Sequence, residues 1–532
     1  MSFVCLFSHL GALGLVGPDE PRYVWIARAM AETGDWVTPR LYGQPWFEKP
    51  ALYYWAAAIG FRLNLPAEWA ARLPSAFAAL AAAVAIGWLA RKHYGRSEDW
   101  SRAPWLLAPT MFCTSVAAIG FARAATPDML FAASIALAMT CAASILPHSP
   151  ALRGDSAPAS DQQRDLAVLA LFGALLGLGV LAKGPAAIIL AGGAIGIWAF
   201  ATQKWRAAFR LAHPVSIAAF CLTALPWYVI CARRNPDFLN VFIFQHNFER
   251  YLTPVFQHKQ PFWFFAPITI LALLPWTIFL LGSLQEGLRL WREKSWTTST
   301  GLFVACGAVF PIVFFSFSQS KLPSYILPAV PALALVACLG AIRAFRRARS
   351  NALAICTGTA GVWVILAWVF VRFIRSGSMV GTQLHSAFLF VAVIVLGLAV
   401  AALLVVAGMR QDLRLTVAIC CVSVVAAVET ANIAVLPAVD PVVSARPYAE
   451  LLQNDLHPDR IFVFHLKRAW NYGLAFYLHR ELPEWSPEDP NAALVLTNRE
   501  GLEKIEKAGR FHGELEQQNR EVFFVPIASA PR

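Results

Sequence analysis

Charge is scarce in this chain. Only 14% of its 532 residues are Asp, Glu, Lys or Arg, where a soluble domain carries about 25%. That excludes a purely soluble enzyme, and a 58% share of hydrophobic residues excludes a disordered chain. Paired-cysteine metal spacings are missing as well. The ten cysteines (Cys5, Cys113, Cys141, Cys221, Cys231, Cys306, Cys338, Cys356, Cys420 and Cys421) lie in or beside apolar runs. They read as buried small hydrophobes, with no disulfide framework and no zinc ribbon. No internal period or duplication of halves is visible, which argues against a repeat protein.

What the chain does have is apolar runs. They fall at about 3–16, 75–90, 104–120, 129–147, 166–182, 185–201, 213–231, 262–283, 299–317, 325–342, 352–371, 386–408 and 415–437, near the roughly 20 residues that cross a bilayer. The fold class expected is an all-α polytopic membrane protein with about thirteen spans. The first run has no basic flank and no A-x-A site, so it reads as an anchor rather than a removed signal, with a truncated or mis-assigned start left open. Alternate short loops carry basic clusters: Arg91-Lys92, Arg96 and Arg102; Lys204, Arg206 and Arg210; Arg289, Arg292 and Lys294; Arg343, Arg346, Arg347 and Arg349; Arg410 and Arg414. The positive-inside rule puts these in the cytoplasm, with the N-terminus. The net charge of +12 is then mostly orientation charge, not a nucleic-acid footprint. The other side receives residues 17–74, the loops at 121–128, 183–184, 232–261, 318–324 and 372–385, and the tail. The tail, 438–532, alternates strand and helix patterns: Arg460–His465, about Ala469–Leu478, Ala493–Thr497, about Arg499–Ala508 and Val522–Ile527. It reads as a small extracytoplasmic α/β domain after a membrane domain of residues 1–437.

The outer face holds the chemistry-bearing residues. In the 17–74 loop, Gly17-Pro18-Asp19-Glu20-Pro21 signals a helix start and Gly34 its end, predicting a helix on the outer membrane surface. Asp19 is open to two readings, helix cap or functional carboxylate. Pro50 predicts a second helix start, which puts Lys49 beside a positive helix end; a bound anion would resolve that conflict. Trp46, Phe47, Tyr53, Tyr54 and Trp55 form an interfacial belt or line a sugar and lipid site. Arg123, Asp128, Lys183, Lys321 and Arg250 sit at or near span ends, where charges are costly and functional by default. Cations beside carboxylates suit binding of a lipid phosphate while a carboxylate moves a proton.

At this point the residues resemble a family, the bacterial membrane glycosyltransferases of the aminoarabinose transferase and protein O-mannosyltransferase type, with the GT-C fold. The motifs are Asp19-Glu20-x-Arg22-Tyr23, Gly34-Asp35-Trp36-Val37-Thr38-Pro39-Arg40, Phe47-Glu48-Lys49-Pro50-x-Leu52-Tyr53-Tyr54-Trp55, Ala71-Arg72-Leu73-Pro74-Ser75, Lys183-Gly184-Pro185, Pro226-Trp227-Tyr228, His246-Asn247-Phe248-x-Arg250-Tyr251 and Ser320-Lys321-Leu322-Pro323-x-Tyr325. The resemblance implies a polyprenyl (undecaprenyl) phosphate-linked sugar donor, a lipid A, glycan or protein acceptor, and inversion at the sugar carbon on the periplasmic side of a bacterial inner membrane. It makes Asp19 the catalytic carboxylate, with Asp128 a second catalytic candidate. Glu20, Tyr23, Glu48, Lys49, Tyr53, Arg72, Lys183, His246, Arg250, Lys321 and Tyr325 become substrate-binding candidates. Two positions depart from the family pattern: Ala51 replaces a second Pro, and Gln245 replaces a Glu before His246. The second departure puts a metal in doubt; no cofactor is certain and a divalent metal stays possible. A secondary transporter or lipid flippase is the alternative, but it predicts symmetric halves and midplane charges that the sequence does not display.

Overall fold

The computed structural model describes residues 1–94, 103–146, 159–249, 260–293, 300–375, 387–453, 460–486, 493–509, 516–517 and 521–527. Among them, eight helices are long and apolar enough to cross a membrane: Ala67–Tyr94, Asp128–Ile145, Gln162–Lys183, Pro214–Arg234, Pro323–Arg347, Arg349–Phe373, Val391–Met409 and Leu413–Val443. Two bent helix pairs are long and apolar enough only when each is taken together, Pro104–Cys113 with Val116–Ala122 and Phe262–Ala272 with Trp276–Arg289. The first bend sits where Ser115 restarts the helix, its hydroxyl accepting from the Ala118 amide. Ala186–Thr202 and Gly301–Ser316 are apolar but shorter.

The first apolar run departs from expectation. Its helix covers only Ser2–Phe7, about 9 Å of rise, too short to span. His9 then takes a left-handed backbone (φ 52°), and residues 10–14 are pinned by Arg72, which donates to the carbonyls of Leu10, Leu13 and Gly14.

Packing in the bundle rests on small residues. The Ala67–Tyr94 helix buries Ala70, Ala71, Ala76, Ala79, Ala82 and Ala83, and its neighbour buries Ala132, Ala133, Ala138, Ala142 and Ala143. Small side chains let helix backbones approach where lipid gives no hydrophobic drive to association. The ten cysteines are all free, and eight are fully buried.

The tail follows its sequence pattern. Ile461–Phe464 pairs parallel with Leu494–Thr497, which pairs antiparallel with Phe523–Pro526; Glu516–Gln517 adds to the far edge. Helices Arg468–Tyr477 and Arg499–Lys507 cover the sheet. The membrane helix runs past residue 437 and ends at Ser444, in extended backbone. From there the tail is tied back. Arg446 bridges Asp440 at 2.7 Å and Glu68 at 3.4 Å. Tyr477 Oη donates to Glu68 at 2.8 Å and accepts the Leu15 amide at 2.8 Å. Tyr477→Phe strands the Leu15 amide and leaves Glu68 its bridge to Arg446, so a loss of about 1–3 kcal/mol is expected, measured as a lowered thermal midpoint of the detergent-solubilised protein.

Candidate active site

The helix Asp19–Thr33 carries the site. It is stopped by Gly34, whose φ of 74° suits a residue without a Cβ. The helix is not laid on an outer surface. Glu20, Arg22, Tyr23, Val24, Ile26, Ala27, Arg28 and Met30 are buried, with the helices Leu52–Arg62 and Arg468–Tyr477 packed against it. Asp19 is not a cap either. Pro18 holds the N-cap position with helical backbone angles and no side-chain cap bond forms, so Asp19 lies inside the first turn and faces Arg22, three residues on.

Arg22 is the centre of the first charge group. Its guanidinium pairs with Asp19 and, at 3.0 Å, with Glu48, and Nε donates to the Pro18 carbonyl at 2.9 Å. It stacks near Trp46 at 5.6 Å and Tyr472 of the tail at 5.4 Å. Burial alone would lower its pKa, but Glu48, then Tyr23 and Asp19, hold it above the ordinary value. Tyr23 donates to Glu48 at 3.3 Å, and Lys49 reaches the same carboxylate at 3.4 Å. Burial first, then Glu48, pushes the Tyr23 and Tyr54 phenols well up, so both remain protonated donors. The Tyr54 hydroxyl and the Trp46 indole N–H are buried with no hydrogen-bond partner among the described residues. Buried donors in that condition are rare. Of the whole group only Asp19 reaches open space, its side chain 50% exposed against 8% for Arg22 and 11% for Glu48.

A second group adjoins the first. Asp128, in the first turn of its span, pairs with Lys183, and Lys49 acts electrostatically on Asp128. Lys183 closes its helix, and Gly184 (φ 91°) provides the left-handed turn that breaks the run. The ammonium lies 5.0 Å from the Tyr325 ring and 5.7 Å from the Phe131 ring. Asp128, a second catalytic candidate by sequence, is mostly buried and paired with this cation. Lys49, Lys183 and Tyr325 gather on one side of Asp19's carboxylate network.

Other sequence candidates are spent elsewhere. Glu20 pairs with Arg72 at 3.0 Å and accepts the Val16 and Ala125 amides; both side chains are internal, and they build the floor under Asp19. Tyr53 is buried and donates to the Ala71 carbonyl at 2.9 Å. All three were expected to contact substrate; in the structure their polar atoms bond to other parts of the chain. Lys321 donates to the carbonyls of Gln260 and Ser318, and burial lowers its pKa; it ties its own loop. Phe47 packs on Phe238 at 5.2 Å, and the Trp55 indole donates to the Trp36 carbonyl at 2.7 Å, so the aromatic run is largely internal packing rather than a belt. The backbone of His246 belongs to the segment Asn240–Glu249, but its side chain and all of Arg250 lie outside the described residues. No three His, Cys, Asp or Glu side chains converge as a metal site among the described residues. Arg22, named in a motif but not proposed as a ligand, is the residue the sequence reading missed; its i,i+3 spacing from Asp19 on a helix was the available signal.

The architecture is a bundle of membrane-length helices with carboxylates and cations gathered near the ends of several spans. ArnT from Cupriavidus metallidurans, solved with undecaprenyl phosphate bound, has the same fold: TM-score 0.78, 22% identity, covering 100% of this chain and 98% of that one. Its apo form gives 0.75 at 21% identity, with the same coverage of both chains. Residues 11–242 match the family model described as dolichyl-phosphate-mannose-protein mannosyltransferase. Similar curated proteins are named undecaprenyl phosphate-alpha-4-amino-4-deoxy-L-arabinose arabinosyl transferase. The one from Edwardsiella ictaluri is 31% identical over 320 residues, 60% of this chain and 54% of that protein. The one from Serratia proteamaculans is 31% identical over 356 residues, 66% of this chain and 60% of that protein. The match thus spans a little over half the length of these relatives.

Proposed function

We propose that the protein is a glycosyltransferase that moves a sugar from a polyprenyl (undecaprenyl) phosphate to a lipid A-like, glycan or protein acceptor, with inversion. The observation that carries this reading is the half-exposed Asp19 carboxylate, held by buried Arg22 beside the Lys49 and Lys183 cations. The printed names of the relatives support the donor and the aminoarabinose class of sugar. The acceptor oxygen attacks the anomeric carbon while the bond to the lipid phosphate breaks. Asp19 takes the hydroxyl proton as general base. If the acceptor is itself a phosphate, Asp19 orients it or stabilises the positive sugar ring. Polyprenyl phosphate leaves with a gained negative charge, which preorganised Lys49, Lys183 and the Tyr325 hydroxyl stabilise most in the transition state. Asp128 positions Lys183. The basic-loop pattern supports a position of the site and the α/β tail outside the cytoplasm in a bacterial inner membrane. The domain proposal is a membrane part through about residue 437 and the tail beyond it.

The test is a transfer assay with the purified full chain in lipid nanodiscs, a polyprenyl-phosphate-linked aminoarabinose donor and lipid A. Expected is acceptor mass gained with stoichiometric release of polyprenyl phosphate; donor consumption without acceptor gain, or none at all across candidate sugars, would overturn the reading. In the same assay Lys183→Ala is expected to lower kcat/KM about 10²-fold, with Asp128→Asn losing less.

A further inference from the structure

A cavity of about 480 Å³ opens at the other end of the site helix, lined among others by Arg28, Glu32, Arg62, Asn64, Phe476 and His479. It is distinct from the site above: Arg28 lies nine residues beyond Asp19, roughly 14 Å along the axis. Two guanidiniums and a histidine face one carboxylate. Arg28 is 7% exposed and is held by stacking on Phe476 at 4.2 Å and Trp25 at 4.9 Å. One nitrogen donates to the Phe476 carbonyl at 3.0 Å and lies 3.3 Å from His479 Nε2. Its sole carboxylate among the described residues is Glu32, at 3.8 Å and 63% exposed on its side chain, too far and too solvated to offset burial. Burial accordingly drops the Arg28 pKa to about 10, and burial, then Arg28, lowers that of His479. Arg62 stacks over Trp36 at 5.8 Å and makes no ion pair among the described residues. A buried cation this poorly compensated is stabilised by an anion that brings its own charge.

The framing residues favour an amphiphile. Phe61 and Leu65 give the cavity an apolar lining beside its cations, and Ile59 and Leu63, next to Arg62 in the chain, are exposed large apolar side chains. Planar guanidiniums set at its edge suit bidentate contacts to phosphate oxygens.

We propose that this cavity binds the phosphomonoester of an anionic lipid headgroup, clasped by Arg28, Arg62 and His479 between the site helix and the tail. The chemistry recognised is the phosphomonoester; a free phosphate shares it, and the test separates the two sources. The full-length protein is placed in phosphatidylcholine nanodiscs doped with phosphatidic acid, and lipid retention is counted by native mass spectrometry, with and without millimolar inorganic phosphate. Wild type is expected to retain phosphatidic acid selectively. Arg62→Glu, at an exposed position that does not threaten the fold, is expected to cut retention about tenfold or more. His479→Ala loses less, and Arg206→Glu, in a predicted cytoplasmic loop, loses nothing. Competition by inorganic phosphate without lipid selectivity assigns the site to a soluble phosphate. Equal retention by wild type and Arg62→Glu, with no phosphate effect on either, overturns the proposal.

Discussion

Asp19→Asn is expected to lower sugar transfer by about 10²–10⁴-fold while donor binding and the thermal midpoint stay near wild type. The substitution is nearly isosteric, and the amide oxygen still accepts from Arg22, so the arginine keeps its pairing with Glu48 at 3.0 Å and the first helical turn is undisturbed. What disappears is a negative, proton-accepting oxygen at the single member of the group that is half open to its surroundings. The readout is kcat in the nanodisc assay, paired with donor affinity measured separately; a fall in kcat at unchanged affinity marks an interaction made in the transition state. Turnover near wild type would reduce Asp19 to a salt-bridge partner of Arg22 and remove the mechanism. Asp19→Glu adds a control, since it preserves the base but moves it by a methylene, and should fall between the two.

Arg72→Met is expected to cost about 3–5 kcal/mol of stability. Its guanidinium makes four bonds at once: to Leu10 at 2.7 Å, Leu13 at 2.5 Å, Gly14 at 2.8 Å and Glu20 at 3.0 Å. Removing it leaves Glu20 as a charge 7% exposed on its side chain with no cation partner, and frees the carbonyls that shape the chain leading into Asp19. Unfolding of the purified variant in detergent measures the loss, and activity should fall with it. The double variant Arg72→Met with Glu20→Gln is expected to recover part of the stability, because it no longer buries an unpaired charge. A double-mutant cycle then reads their coupling. Additive losses would mean that the two residues act independently and that the pair does not anchor the site.

These two residues show where sequence reading worked and where it stopped. The helix that carries Asp19 was legible because its cues are local: a Pro-flanked start and a terminating Gly34. The apparent role of Asp19 as a cap was wrong in detail, since Pro18 already takes the helical backbone angles and shifts the cap one residue back. Arg72 and Glu20 looked like ligands because charge near a membrane edge is costly, but cost is equally met by pairing across 52 residues of chain. Nothing local reports that pairing. For Tyr53 and Lys321 likewise the side chain's type was visible in the sequence and its partner in the fold was not.

What the sequence determined by itself was the class of solvent, the positions of most apolar helices and the strand and helix order of the tail. All of these follow from composition and periodicity over a few turns, where neighbours in the chain are neighbours in space. What only the tertiary structure decided was which charges meet. It brought Arg22 between Asp19, Glu48 and Tyr472, drew Lys183 onto Asp128, and closed the Arg28 cavity with His479 from the tail. Such contacts depend on helix packing and on the docking of a distant segment. Their energy comes from desolvation and pairing at short range, so no spacing along the chain encodes them.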